Sequence, residues 1–204
     1  IFSEEILSAD EAVTNLDELV KDKIQRLKGF FEVLKDDMSQ VEKAVMDNVV
    51  KQAYINSGIL KYERLSQIKN DQWPTLTNVY DEMAKLAEKD PDKFERVKDF
   101  YYILGSYTHG SNTLFDGYTN VNLNAKIVSF DLKPLQSEQE VQAGAYLTTF
   151  QYLWDEITKD RHKRKKLFVD EFHFLTLHKS ASTFFHQAYK RFRKYNAGAI
   201  AGTQ

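Results

Sequence analysis

Apolar positions recur at steps of three and four through the first hundred residues, the spacing of helices that bury one face. Val13, Leu16, Val20, Ile24, Leu27, Phe31 and Leu34 form the first such stripe. Ser8 and Glu11 stand ahead of it at the spacing of a capping box, in which a hydroxyl and a carboxylate satisfy the orphan amides of a helix start. Ser39 and Glu42 repeat that spacing, and Val41, Val45 and Val49 continue a stripe toward Gly58, a helix stop. "QWP" at 72–74 breaks the pattern, and Leu76 to Glu88 reads as a third helix. Asp90-Pro91 supplies an N-cap and a proline at the first helical position. Phe94, Val97, Tyr101 and Leu104 then give a fourth helix its buried face.

The period changes in the second half. "GSYTHGSNTLFDGYTNVNLN", 105–124, is polar and glycine-bearing and reads as a loop, long enough to be functional or mobile. "AKIVSFDL", 125–132, is a β-branched run of strand length. Ser137 and Glu140 form a third capping-box spacing, and 138–158 reads as a helix apolar on more than one side, hence well buried. "RHKRKK" at 161–166 is a basic turn, "LFVD" a short apolar strand, 179–194 a helix, and "AGAIAGTQ" a strand of small residues. Short apolar strands alternating with helices predict an α/β fold with a parallel sheet flanked by helices. The expected organisation is an all-helical lobe at 1–112 followed by this partial sheet at 113–204. Ligands of such sheets sit beyond the carboxyl ends of the strands. Asp170, Glu171, Thr203 and Gln204 fall at those ends.

Composition narrows the classes. The 204 residues suffice for one large domain or two small ones, and 42% hydrophobic with 28% charged residues describes a chain that folds and dissolves. A net charge of −2 provides no global field for nucleic acid or an anionic membrane, so DNA is a partner that net charge does not support. The absence of cysteine excludes disulfides, thiolate catalysis and cysteine metal sites together. No segment approaches the roughly 20 apolar residues of a membrane span. The start lacks Met and a signal-peptide pattern, and "AIAGTQ" stops inside a strand, so both ends are expected to be cuts in a longer protein.

The acidic pair carries the sharpest chemistry. At a strand tip the backbone turns, so adjacent Asp170 and Glu171 can serve one site. One carboxylate can hold a hydrated magnesium ion through water; the next can accept a proton from an attacking water. Phosphoryl transfer asks for little else than positioning and charge. Taken alone, an apolar strand followed by two acids is also common by chance. Gln204 could orient the water or contact a terminal phosphate, against the plainer reading of a surface amide. "KRFRKYN", 190–196, closes a helix, where its dipole favours cations anyway; the functional alternative is an arginine, Arg191 or Arg193, supplied to a neighbouring subunit's nucleotide. The 161–166 run reads first as a solvated turn, since nucleic-acid contact is expected to bring aromatics or a longer basic stripe. Histidines 109, 162, 173, 178 and 186 lack ligand spacing: His173 and His178 are five apart, not the four of H-E-x-x-H. Gly105 and Gly110 bracket four residues as in a phosphate loop, but Ser111-Asn112 follow where Lys-Ser/Thr is required. The chain therefore has no phosphate-cradling loop.

"KLFVDEFHFL" and "FFHQAYKRFRKYNAGAIAGTQ" resemble the type IV secretion and conjugation ATPases, RecA-like hexameric motors. The family pattern is an apolar strand ending Asp-Glu, a helix ending Arg-Lys-aromatic, and a small-residue strand ending Thr-Gln. "LFDGYTNV" and "KIVSFDLKPL" also look like the family's approach to the Asp-Glu strand, so the resemblance covers roughly residues 100–204. The helical first half matches in kind, as the family's all-helical lobe. The resemblance implies that Asp170 is the Walker B magnesium aspartate, Glu171 the catalytic base, Gln204 the sensor of the terminal phosphate, and Arg193 or Arg191 the arginine acting in trans. It implies ATP and magnesium as cofactors, other secretion-channel subunits and further copies of the chain as partners, and work in the bacterial cytoplasm at the inner face of the membrane. The family's phosphate loop is expected upstream of Ile1, so this chain alone is expected to bind nucleotide poorly. Two other functions compete: a related DNA-pumping ATPase, such as a coupling protein or chromosome translocase, and a helical interaction module without catalysis.

Overall fold

The computed structural model describes residues 16–64, 67–121, 125–135, 139–176 and 179–203. The Ser8–Glu11 spacing, Val13, Ser137, His178 and Gln204 lie outside the described residues. The chain forms two compact units: among the described residues, one holds 16–31 and 37–121, the other 32–36 and 125–203.

The first unit is helical. Helix α1 (Leu16–Leu34) buries Leu16, Val20, Ile24, Leu27 and Phe31 as its stripe dictates, and Phe30 as well. Helix α2 (Gln40–Ser57) starts on a completed capping box: the Glu42 amide donates to Ser39 Oγ at 3.2 Å and the Ser39 amide to Glu42 Oε2 at 2.7 Å. It stops at Gly58, whose φ of 77° lies in the left-handed region open to glycine. Its buried face is Met46, Val49, Val50, Ala53 and Tyr54. Val41, expected on that face, is 57% exposed, because at 3.6 residues per turn it stands on the far side of the helix from Met46 and Val50. Helix α3 (Leu76–Lys89) and helix α4 (Pro91–Thr108) meet along Val79, Met83, Val97, Phe100 and Leu104. Asp90 caps α4 by accepting from the Lys93 amide at 3.1 Å. Lys93 beside it holds the Asp90 carboxyl below the ordinary aspartate range.

The stretch expected to be a loop from residue 105 begins later. Helix α4 runs on to Thr108, and Thr113–Phe115 is a 3-10 turn that buries Phe115 with its ring 5.0 Å from Phe30. Asp116 accepts from the Thr77 amide at 2.9 Å and from its hydroxyl, and Tyr118 donates to Asp71 O at 2.9 Å. The segment is thus tied down by side chains that composition alone marks only as polar.

In the second unit, helix α5 (Gln139–Lys159) buries Val141, Ala145, Leu147, Phe150 and Ile157. Strand β1 (Lys165–Val169) follows, then one helical turn, α6 (His173–Thr176), helix α7 (Lys179–Arg191), a 3-10 turn at Phe192–Tyr195 and strand β2 (Ala197–Ala201). The strands pair in parallel, with Leu167 opposite Ala199 and Phe168 opposite Ile200. The crossover through α7 is what a parallel pair requires. Phe150, Phe172 and Phe185 form the aromatic centre, Phe185 lying 4.7 Å from Phe150 and 4.5 Å from Phe172.

One expectation needs correction. Residues 125–132 form no strand: Ile127 is 89% exposed, and no described strand pairs with this run, so its β-branched residues have no ladder to join. One face of the strand pair is open, since Phe168 is 68% and its neighbour Ile200 53% exposed. The sheet is two-stranded among the described residues.

Lys165 fastens the start of β1 to the helix before it. Its Nζ donates to Ile157 O at 2.8 Å and to Asp160 O, carbonyls left without intrahelical donors at the end of α5. Desolvation pushes its ammonium below the ordinary lysine range. Lys165→Met keeps the stem and removes the donors, and is expected to lower unfolding free energy by about 1–2 kcal/mol in a urea titration. An unchanged midpoint would mean that water replaces the ammonium without loss.

Candidate functional site

The tip of β1 is built by hydrogen bonds to the tip of β2. The Gly202 amide donates to Val169 O at 2.8 Å, and the Phe172 amide donates to Gly202 O at 2.9 Å. Between those two bonds the chain must turn within Asp170 and Glu171. It does so by placing Glu171 at φ 53°, in the left-handed region that non-glycine residues enter at a cost of roughly 1–2 kcal/mol. The Glu171 amide donates to Asp170 Oδ1 at 2.9 Å, which fixes the aspartate against the turn. A Cβ at Gly202 would stand 3.4 Å from that same Oδ1, so the end of β2 lies directly beside the Asp170 carboxylate. The Phe172 ring, packed on Phe185, anchors the far side of the turn.

Two side chains that sequence reasoning missed complete the surroundings. His173, at the start of α6, brings Nδ1 to 3.2 Å from Glu171 Oε2. Tyr146 on α5 has its phenol pushed above the ordinary tyrosine range, by burial first, then by Glu171 and Asp170. His173 lacks metal-ligand spacing, yet it stands two residues after Glu171 in the sequence. Nothing in the sequence tells which face of α5 meets the turn.

The predicted residues divide by location. Asp170 and Glu171 stand together at the carboxyl end of the strand pair, with Gly202 and Thr203 beyond the end of β2. Gln204 is outside the described residues. Arg191 and Arg193 are exposed just before β2 starts, at the opposite end of the strands. Five residues of strand put about 13 Å between the two ends, so these arginines do not meet the acidic pair of their own chain.

The donor set fits magnesium held through water. That ion takes one or two carboxylates and keeps most of its hydration, whereas a closed cage needs more ligands. Among the described residues no group of three or more His, Asp or Glu is disposed as such a cage. Nor is any helix among them long and apolar enough to cross a membrane.

A helical unit together with a parallel strand pair, acidic at its carboxyl tip and joined by a crossover helix, is a partial RecA-like α/β fold with a helical lobe. The chain is similar to the structure of VirB4 of Thermoanaerobacter pseudethanolicus, with a TM-score of 0.80 and 29% identity, over 90% of this chain and 50% of that one. This bears out the resemblance stated from the sequence to the extent that the chain is VirB4-like. It spans about half the length of the chain it matches. No protein-family model matches the sequence, and no curated protein matches it.

Proposed function

We propose that this chain is the part of a type IV secretion ATPase that carries the magnesium aspartate and the catalytic base. The full-length protein would hydrolyse ATP to power assembly of a secretion channel or transport through it. The observation that carries the reading is the backbone of Glu171. A non-glycine residue held in the left-handed region, at the joined tips of two parallel strands, is strain of the sort that persists where a side chain must be aimed. Asp170, exposed at the tip, would hold the hydrated magnesium ion that neutralises charge on the phosphates. Glu171 accepts a proton from the attacking water as its oxygen bonds to the terminal phosphorus and the bond to the leaving diphosphate breaks. Gln204 would sense the terminal phosphate.

Arg191 or Arg193 would act on the nucleotide of a neighbouring copy, within a hexamer, and their distance from their own acidic pair supports action in trans. Other channel subunits would hold the assembly at the inner face of a bacterial membrane. ATP turnover by Glu171→Gln in the full-length protein tests the reading.

One observation favours the second reading, a DNA-translocating ATPase. The basic turn at 161–166 is joined to 192–196: Asn196 Nδ2 donates to His162 O at 3.2 Å, and Arg161 lies 5.2 Å over the Tyr195 ring. The two basic segments therefore form one longer stripe with an aromatic in it. Fluorescence anisotropy of a labelled single-stranded oligonucleotide on this chain separates the readings. The secretion reading expects no binding tighter than the roughly 10⁻⁴ to 10⁻⁶ M of non-specific contacts at physiological salt. Tighter binding that is lost in the double variant Lys163→Glu, Arg164→Glu would favour the second.

A further inference from the structure

We infer that an acidic, aromatic face of the helical unit receives the basic turn at 161–166 of a second copy of this chain. None of the residues involved belongs to the acidic site, so the inference stands whatever the chemistry there.

Helices α3 and α4 close on Val79, Met83, Val97, Phe100 and Leu104, all buried. A second aromatic layer lies outside that core. Tyr80 on α3 stacks on Tyr101 of α4, with ring centres 4.3 Å and planes 14° apart. Phe94 meets Tyr101 edge-on at 5.3 Å, and His109 lies 4.9 Å from Tyr80. The Tyr80 ring rests against Gly105, where a Cβ would stand 3.4 Å from Cε2, so the glycine leaves room for the stack. Tyr102 extends the layer outward, its ring 5.6 Å from Tyr101 and 66% exposed. The plainer reading is that these rings only clad the helix pair. Yet rings gathered at a surface are what interface centres are made of, with arginine as their usual counterpart.

The charges around the rings select the partner. Asp81 follows Tyr80, and Glu88 stands two turns further along the same side of α3. Both are exposed, and neither makes an ion pair among the described residues. The cations of the same helices are engaged: Lys85 pairs with Glu82 at 2.6 Å and Lys98 with Glu95 at 3.2 Å. The Tyr101 phenol is pushed up to about 12, first by its hydrogen bond with Tyr80 and last by Asp81, so that carboxylate lies near the stack. Ring faces beside unpaired carboxylates suit guanidinium and ammonium groups. The turn at 161–166 supplies them. It is held in place by Arg161 over the Tyr195 ring and by Lys163, 3.7 Å from Asp160. Arg164 and Lys166 are exposed on it and make no ion pair among the described residues. Face and turn are different surfaces, so each copy offers its turn to one neighbour and its face to another. Such heterologous contacts build rings or filaments.

Sedimentation equilibrium of the 204-residue chain, freed of nucleic acid by nuclease, tests the inference. The chain is expected to associate at high micromolar concentration in about 0.1 M salt, and about tenfold more weakly in about 1 M salt, where the screening length falls to roughly 3 Å. Tyr102→Ala removes an exposed ring, leaves the core intact and should weaken association about tenfold, as loss of an interface aromatic does. Asp81→Lys with Glu88→Lys should abolish it, and so should Arg164→Glu with Lys166→Glu. Mixed in equal amounts, these two charge-reversed chains should associate again, because the acidic turn of one then meets the basic face of the other. That recovery also shows that both variants fold. A chain that stays monomeric throughout, an association indifferent to these variants, or charge-reversed chains that fail to recombine would overturn the inference. Association seen before nuclease treatment and lost after it would overturn it too, and would give the basic turn to nucleic acid.

Discussion

Glu171→Gln, in the full-length protein, is expected to lower ATP turnover by about a thousandfold while leaving nucleotide affinity within a few-fold. The substitution is isosteric and removes only the ability to take a proton. General-base contributions run roughly 10²- to 10⁴-fold. Affinity should hold because binding energy comes chiefly from phosphate and magnesium contacts that an amide at this position leaves in place. The backbone supports the same split. The φ of 53° at residue 171 and the hydrogen bond from its amide to Asp170 Oδ1 do not depend on the side-chain charge, so the turn should form as before. Steady-state hydrolysis with a parallel nucleotide titration checks both halves. Turnover that survives Glu171→Gln would favour the remaining alternative, a helical interaction module without catalysis.

The largest effect on stability is expected at Phe185. Its ring is buried on α7, 4.7 Å from Phe150 on α5, 4.5 Å from Phe172 at the acidic turn, and 6.0 Å from Tyr189. Phe185→Ala removes the ring that three others share and leaves a cavity that the helices cannot close without moving α5. Such truncations cost about 3–5 kcal/mol. In a chain of this size that corresponds to a fall in melting temperature on the order of 10 °C. Calorimetry of the 204-residue chain measures it. Phe185→Leu should recover much of the loss by refilling the volume, and a Leu variant as unstable as the Ala variant would show that ring geometry, not volume, holds the unit together.

Local signals were legible where the chemistry is local. The Ser39–Glu42 box, the left-handed stop at Gly58 and the Asp90-Pro91 start each act within one turn of helix, and the structure contains them as the spacing implies. The same holds for "LFVD" as strand followed by an acidic turn. What the pattern misjudged depends on partners distant in sequence. Val41 fits the three-and-four spacing but stands on the far side of the helix from Met46 and Val50, while Met46 and Tyr54 carry the burial. Residues 125–132 have the composition of a strand, yet strandedness is a property of a pair, and among the described residues that pair is β1 with β2. The polar stretch around Asp116 looks mobile until Thr77 and Asp71, some forty residues earlier, are found holding it. At the site, Asp170 and Glu171 could be named because adjacency in sequence placed them at one tip. His173 needed the turn geometry, and Tyr146 needed the packing of α5, before either could be connected with the acidic pair.

The central claim is that the Asp170–Glu171 turn, tied to the end of β2, faces the terminal phosphate of a magnesium nucleotide. A crystal structure of the full-length protein with a non-hydrolysable ATP analogue and magnesium tests this most directly. The account predicts the metal's water shell against Asp170, a water between Glu171 and the terminal phosphate, and Gln204 at hydrogen-bond distance from that phosphate. A nucleotide bound with Glu171 out of reach of the terminal phosphate, even through one water, would contradict it.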